Sequence, residues 1–188
     1  RLELKSSSAL LFQRLYKDKS EDVREAALRI LQELEAPELE KAMEMALADK
    51  DKKVRSKALD LLPQSKIPEA TAVRLFENIF TNGSVQEQQS ALMSLGKFKS
   101  EAAVIAMTKM FNKLNNGSLS DKLQLDVVEA IEEQQAPALI AMLKEYKSKN
   151  DVSDPLNGYY ETLSGGDIRR GQRAFYRNEA GQCTRCHS

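Results

Sequence analysis

Apolar and polar positions alternate with helical period along the first 150 residues, and the helices they predict recur. Four segments begin on a side chain able to accept from free backbone N–H groups. They run Ser20, Val23, Ala27, Leu28, Leu31; Asp51, Val54, Ala58, Leu59, Leu62; Ser84, Glu87, Ala91, Leu92, Leu95; and Ser120, Leu123, Val127, Val128, Ile131. Such spacing puts the apolar residues on one face behind an N-cap. Successive caps stand 31, 33 and 36 residues apart. Glu87 replaces an apolar residue, but with Ser84 it has the pattern of a capping box, so this copy also marks a helix start.

A second set of helices is predicted between these, at about 8–17, 37–48, 68–81, 101–115 and 136–149. Their apolar faces include Val73, Phe76 and Phe80, then Val104, Thr108 and Phe111. Pro37, Pro68 and Pro137 fall at or near first turns, where a missing N–H costs nothing. Asn82-Gly83, Gly96 and Asn116-Gly117 are assigned to the positive-φ or loop positions between helices. Helix pairs of this size cannot bury their apolar faces one pair at a time. Stacking into a right-handed solenoid of about four to five pairs is the predicted solution; an ordinary bundle with an accidental repeat is the competing arrangement.

Residues 1–150 resemble HEAT-type repeats. The resemblance is carried by Ser20-Glu21-Asp22-Val23-Arg24 with Ala27-Leu28, and by Asp51-Lys52-Lys53-Val54-Arg55 with Ala58-Leu59. Gln88 and Gln124 stand where these two copies have Arg24 and Arg55, so copies three and four are degenerate. The resemblance implies an all-α, HEAT-like α-solenoid that holds or presents other modules, a fold that performs no chemistry itself.

Composition narrows the function classes. The chain has 188 residues, 41% hydrophobic and 30% charged, which suits an ordered fold rather than a disordered one. Its 28 basic and 28 acidic residues cancel, as do the 23 and 23 of residues 1–150, so no attraction to nucleic acid or an anionic membrane is expected. No apolar run is long enough for a membrane span. The six Met residues sit at apolar helical positions, where they read as core filling. The chain begins at Arg1 with no signal-peptide pattern, so a mature or excised piece is expected. The only His and both Cys lie in the last six residues, so residues 1–150 offer no nucleophile–base pair. The chain itself is not read as catalytic, and membership of a larger dehydrogenase stays open.

After residue 150 the pattern changes. Residues 151–165 contain turn formers without helical period and read as a linker, with Tyr159, Tyr160 and Leu163 expected to pack against the last repeat. Residues 166–188 open a new helix, with Asp167 as the expected cap and Ile168, Gly171 and Phe175 on one face. Gly171 between two apolar residues suggests the close approach of another helix, one expected to lie outside this sequence. Cys183-Thr184-Arg185-Cys186-His187 then has the spacing of c-type haem attachment. Two thiols three positions apart can each form a thioether with one porphyrin vinyl group, and the adjacent imidazole of His187 can ligate the iron. A bare CxxC also fits a redox disulfide or half of a zinc site. Against these stand the lack of a second Cys or His pair and of any β-α-β pattern.

With Gly166, Asp167, Gly171 and Phe175 preceding Cys183, Cys186 and His187, residues 166–188 are similar to the opening of a class I cytochrome c domain. The loop Glu179-Ala180-Gly181-Gln182 is similar to that of bacterial proteins joining a PQQ-type sugar dehydrogenase propeller, HEAT-like repeats and a terminal cytochrome. The resemblance implies haem c held covalently by Cys183 and Cys186, with His187 as the proximal iron ligand. It places the family's distal ligand, usually a Met, downstream of His187, so a chain ending at Ser188 is expected to hold the haem incompletely or not at all. It further implies electron transfer with a redox partner protein such as a dehydrogenase, in a periplasmic or exported location. Five arginines against Asp167 and Glu179 make the tail basic, either a rim for an acidic partner or simply solvated charge. The alternative function is a protein-interaction scaffold whose CxxCH tail is unused or binds another metal.

Overall fold

The computed structural model describes residues 2–149, 153–166, 168–178 and 180–187, which form α-helices and short 3-10 turns with no strand among them. Four helix pairs follow one another: α1 (Leu2–Lys17) with α2 (Glu21–Glu33), α3 (Leu39–Leu47) with α4 (Lys52–Leu61), α5 (Glu69–Asn82) with α6 (Val85–Leu95), and α7 (Glu101–Asn115) with α8 (Asp121–Gln134). A ninth helix, α9 (Pro137–Ser148), begins a fifth unit, and α10 (Ile168–Arg177) lies in the tail. The second helices stack in the order α2, α4, α6, α8, while α1 lies on α3, α5 on α7 and α7 on α9. Contacts between neighbouring units in chain order define a solenoid, not a bundle. The structure is therefore an all-α, HEAT-like solenoid of four pairs plus α9. Where a fifth second helix would run, the 3-10 segment Asn157–Thr162 packs against α8 instead.

Each second helix starts directly after its expected cap. Asp51 accepts from Lys53 N at 2.8 Å. Glu87 Oε2 accepts from the Ser84 backbone N at 2.9 Å and from its hydroxyl at 2.6 Å. Ser20 and Ser120 make no side-chain cap bond. At the first, Asp18 Oδ1 accepts from Ser20 N at 3.0 Å; at the second, Leu123 N donates to the Ser120 carbonyl at 2.9 Å. The turn is closed by a neighbouring carboxylate in one case and by backbone in the other.

Behind the caps, Leu28, Leu31, Leu59, Leu62, Leu92, Leu95, Val127 and Ile131 are buried, as the periodicity requires. Two apolar residues depart from it. Met93 is exposed, and Val23 is 40% exposed although its counterparts Val54, Glu87 and Leu123 are buried.

The units are joined by arginines. Arg24, 4% exposed, donates from Nε and Nη2 to the two Asp49 carboxylate oxygens at 2.8 and 2.9 Å. Its Nη1 reaches the carbonyls of Asp18 and Lys19 at 3.0 and 3.1 Å. One guanidinium thus ties its own interhelical turn to that of the next pair. Arg55 repeats the device one unit on, donating to Glu87 Oε1 at 2.5 Å and to the carbonyls of Asp49 and Lys50 at 2.7 and 3.0 Å. Gln88, in the third copy, donates only to the Phe80 carbonyl at 3.2 Å, without a charge. Exposed pairs such as Lys109–Glu77 at 2.7 Å and Arg74–Glu44 at 3.4 Å also cross the unit boundaries, but exposed pairs contribute little.

The interhelical glycines stand in turns as expected, though of Gly83, Gly96 and Gly117 only Gly117 has a positive φ. Gly96 is helical in φ at −58°, and what it provides is room: a Cβ there would stand 2.8 Å from the Ala130 carbonyl oxygen of α8. Gly83 likewise has a negative φ, whereas Gly117, at φ +73°, does take the left-handed turn. The linker also differs. Tyr159, Tyr160 and Leu163 are exposed, at 63, 49 and 75%, so they do not pack the segment down. Its anchors are backbone and polar groups: Gly165 lies against the Lys122 backbone, and Tyr146 of α9 is hydrogen-bonded to Glu161.

Burial raises the Asp49 and Glu87 carboxyls, but hydrogen bonds from Arg24 and the Asp51 N–H, and from Ser84 and Arg55, outweigh it and hold both below the ordinary carboxylate range. A depressed folded pKa adds stability that is complete above the unfolded pKa and is lost as pH falls through the folded value. Urea unfolding is expected to show stability dropping below about pH 4. Asp49→Asn is expected to cost about 3 kcal/mol at pH 7, the low end for a broken buried pair, and to flatten that acid dependence. Gly96→Ala is expected to lower the unfolding free energy measured in urea by about 1–3 kcal/mol through overpacking against α8.

Candidate functional site

The tail is built from α10 and the turn after it. The helix closes with Asn178 N donating to the Ala174 carbonyl at 3.0 Å. The Asn178 side chain then arrests the chain, its Oδ1 accepting from Ala180 N and Gly181 N, each at 3.0 Å. Gln182 N returns to the Asn178 carbonyl at 3.0 Å, and Gln182 itself is left-handed at φ 45°. A Cβ at Gly181 would make only ordinary contacts, 3.5 Å from both Asn178 Cγ and Cys183 Sγ, so the turn does not depend on a glycine there. An Asn whose side-chain oxygen collects the next N–H groups is a turn-former's ordinary use, legible as Asn-x-Ala-Gly but not singled out by the spacing of the motif.

The 3-10 turn Cys183–Arg185 follows. The Cys183 carbonyl accepts from Cys186 N at 3.4 Å and from His187 N at 3.1 Å, so the pentapeptide folds back on itself in one turn. This brings the three expected site residues, Cys183, Cys186 and His187, onto a single turn. Cys183 is half-buried, Cys186 exposed, and both are free thiols. His187 is exposed to solvent, with its ring centroid 6.4 Å from that of Phe175 at an interplanar angle of 54°. Phe175 in turn meets Tyr176 edge-on at 5.1 Å. Phe175 is thus the link between α10 and the imidazole.

The chemistry available is that of two uncrosslinked thiols followed directly by an accessible imidazole. This donor set fits covalent attachment of a haem, two thioethers from sulfur and one nitrogen for iron. It does not by itself complete a zinc site, and among the described residues no three His, Cys, Asp or Glu side chains gather to hold a metal ion. Arg173, Arg177 and Arg185 are exposed around the turn. Two expectations fare differently here. Gly171 is exposed with nothing within 4 Å of where its Cβ would stand, so among the described residues no helix crosses closely at that point. The expected Asp167 cap lies outside the described residues, as does the Ile168 side chain.

Comparison with known families gives one result for the body. Residues 8–96 match the family model for HEAT repeats, a stretch running from α1 to the C-cap of α6. No curated protein matches the chain.

Thiolate reactivity follows exposure, so both thiols are expected to react with a disulfide reagent in native protein, Cys186 before Cys183. Recovery of fewer than two thiols under native conditions contradicts the turn described. Asn178→Ala is expected to speed amide exchange at Ala180 and Gly181 without changing exchange in α2 or α4.

Proposed function

We propose that the chain is a helical-repeat scaffold that carries covalently bound haem c on its C-terminal turn and serves electron transfer between protein partners. The observation that supports this reading most is the turn itself. Cys183, Cys186 and His187 share it, with both thiols free and the imidazole exposed beside Phe175. Cys183 and Cys186 would hold the porphyrin through thioethers and His187 would ligate the iron. Bound there, haem supplies a one-electron ferrous–ferric couple, with protein groups tuning potential and docking.

The chain's own residues have separate tasks in this reading. The Asn178 bonds and the Cys183 carbonyl fix the turn before any cofactor arrives, so less conformational entropy opposes attachment. Phe175 limits the rotation of the His187 ring from one side. Exposed Arg173, Arg177 and Arg185 give the region a positive field that steers an acidic redox partner, such as a dehydrogenase, toward it. The solenoid supplies a support whose first three pairs are tied to one another by guanidinium groups. Covalent haem attachment occurs outside the bacterial cytoplasm in cytochromes of this kind, so the reading carries a periplasmic or exported location. The match of residues 8–96 to HEAT repeats supports a second role for the body, as a surface for protein interaction.

The test is a haem stain on a denaturing gel, with the full-length protein made in a host that matures c-type cytochromes. Stain is expected to stay with the polypeptide, and the variant combining Cys183→Ala with Cys186→Ala is expected to lose it at unchanged helical circular dichroism. An unstained wild-type chain, or stain that survives the double change, leaves only the scaffold role.

A further inference from the structure

The tripeptide Asn-Gly-Ser occurs twice, at Asn82–Ser84 and at Asn116–Ser118. Each stands at the end of a first helix: Asn82 is the last residue of α5, and Asn116 is the C-cap of α7. An Asn before Gly carries a reaction of its own, because no Gly side chain obstructs the approach of the Gly backbone N to the Asn Cγ. The tripeptides are identical, so a difference in reactivity between them has to come from the fold.

The fold uses the two serines differently. Ser84 gives both its donors to Glu87 Oε2, the backbone N at 2.9 Å and the hydroxyl at 2.6 Å. Asn82 reaches back along α5, its Nδ2 donating to Asn78 Oδ1 at 2.7 Å. Gly83 is packed in: a Cβ there would lie 2.7 Å from the Ile79 carbonyl oxygen and 2.9 Å from Ile79 Cγ2. Ser118 instead turns both donors on Asn116 Oδ1, the backbone N at 3.1 Å and the hydroxyl at 2.6 Å. A side-chain oxygen held by the N–H two residues on folds the carboxamide back across the intervening Gly117 N. Gly117 is exposed, with nothing within 4 Å of where a Cβ would stand, so this turn has room to rearrange. Both attacking nitrogens start hydrogen-bonded, Gly117 N to the Leu114 carbonyl at 3.1 Å and Gly83 N to the Ile79 carbonyl at 2.8 Å, so the side chains make the difference.

We infer that Asn116 is a site of spontaneous modification, converting to aspartate and isoaspartate through a cyclic imide, while the fold protects Asn82. Gly117 N attacks Asn116 Cγ and closes a succinimide ring. The Gly117 N–H proton passes through solvent to the departing Nδ2, the Cγ–Nδ2 bond breaks and ammonia leaves. Negative charge develops on Oδ1 during the attack, and the two Ser118 donors already point at that atom. Water then opens the ring, giving aspartate where the N–Cγ bond breaks and isoaspartate where the bond to the Asn116 main-chain carbonyl carbon breaks. Either product places a carboxylate at the C-terminal end of α7, where the helix carbonyls already present negative charge. Isoaspartate also lengthens the backbone of the α7–α8 turn by a methylene.

The test is a peptide-level mass-spectrometric time course of the protein held in mildly alkaline buffer. Peptides carrying Asn116 are expected to gain the amide-to-acid mass several-fold faster than those carrying Asn82, with isoaspartate among the products. Ser118→Ala, at unchanged helical circular dichroism, is expected to slow Asn116 several-fold, and Ser118→Thr, which keeps the hydroxyl, to restore the rate. In protein unfolded by guanidinium the two sites are expected to convert at similar rates, because the tripeptides are the same. Asn82 converting as fast as Asn116 in folded protein, aspartate without isoaspartate, a Ser118→Ala rate that is unchanged or raised, or a difference that persists on unfolding would overturn the inference.

Discussion

The body depends on one buried guanidinium. Apolar faces drive the helix pairs together, but burial is non-directional and would tolerate a slip or rotation between neighbours. Arg24 removes that freedom by spending its donors on both sides of a boundary, two on the Asp49 carboxylate and one shared by the carbonyls of Asp18 and Lys19. Because Asp49 also holds its own turn through Asp51 N, a shift of either unit breaks several bonds at once. The cost of stranding a buried charge makes the correct register much better than its neighbours.

Further along, the same task passes to other physics. Arg55 still reaches Glu87, but Gln88 makes only a neutral bond to the Phe80 carbonyl. At the next boundary Gln89 donates to the Lys122 carbonyl at 3.0 Å and to Asp126 at 3.1 Å, and Gly96 lets α6 and α8 approach backbone to backbone. The solenoid therefore changes from a guanidinium–carboxylate clamp at its N-terminal boundaries to close packing and hydrogen bonds from Gln89 and Lys99 at its later ones. The linker ends the array with polar anchors at Tyr146 and Lys122, leaving Leu156, Tyr159 and Leu163 in solvent.

Much of this was legible in the residues. The four caps Ser20, Asp51, Ser84 and Ser120 stand directly before α2, α4, α6 and α8, because a cap followed by a helical apolar stripe is a local signal that packing only reinforces. The exposure of Val23 was not legible, since its sequence setting matches that of buried Val54 and only the unit before it differs. Gly96 does stand in the turn after α6, but its second task was hidden for a related reason: its neighbour Ala130 comes from another unit. In the tail, the spacing of Cys183, Cys186 and His187 pointed to one turn, and they share one. The part played by Asn178 was hidden, because a side-chain bond to the backbone leaves no mark on a cysteine–histidine motif.

Body and tail thus differ: one is a stack of helix pairs, the other carries both thiols and the only imidazole of the sequence within a single turn. A haem reading places all cofactor chemistry there and none in the repeats. The most direct measurement is peptide-level mass spectrometry of the full-length protein matured in a c-type cytochrome host. The peptide spanning Cys183 and Cys186 should carry the mass of one haem, with every other peptide unmodified. Recovery of that peptide with both thiols free, or a haem increment on any other peptide, would contradict it.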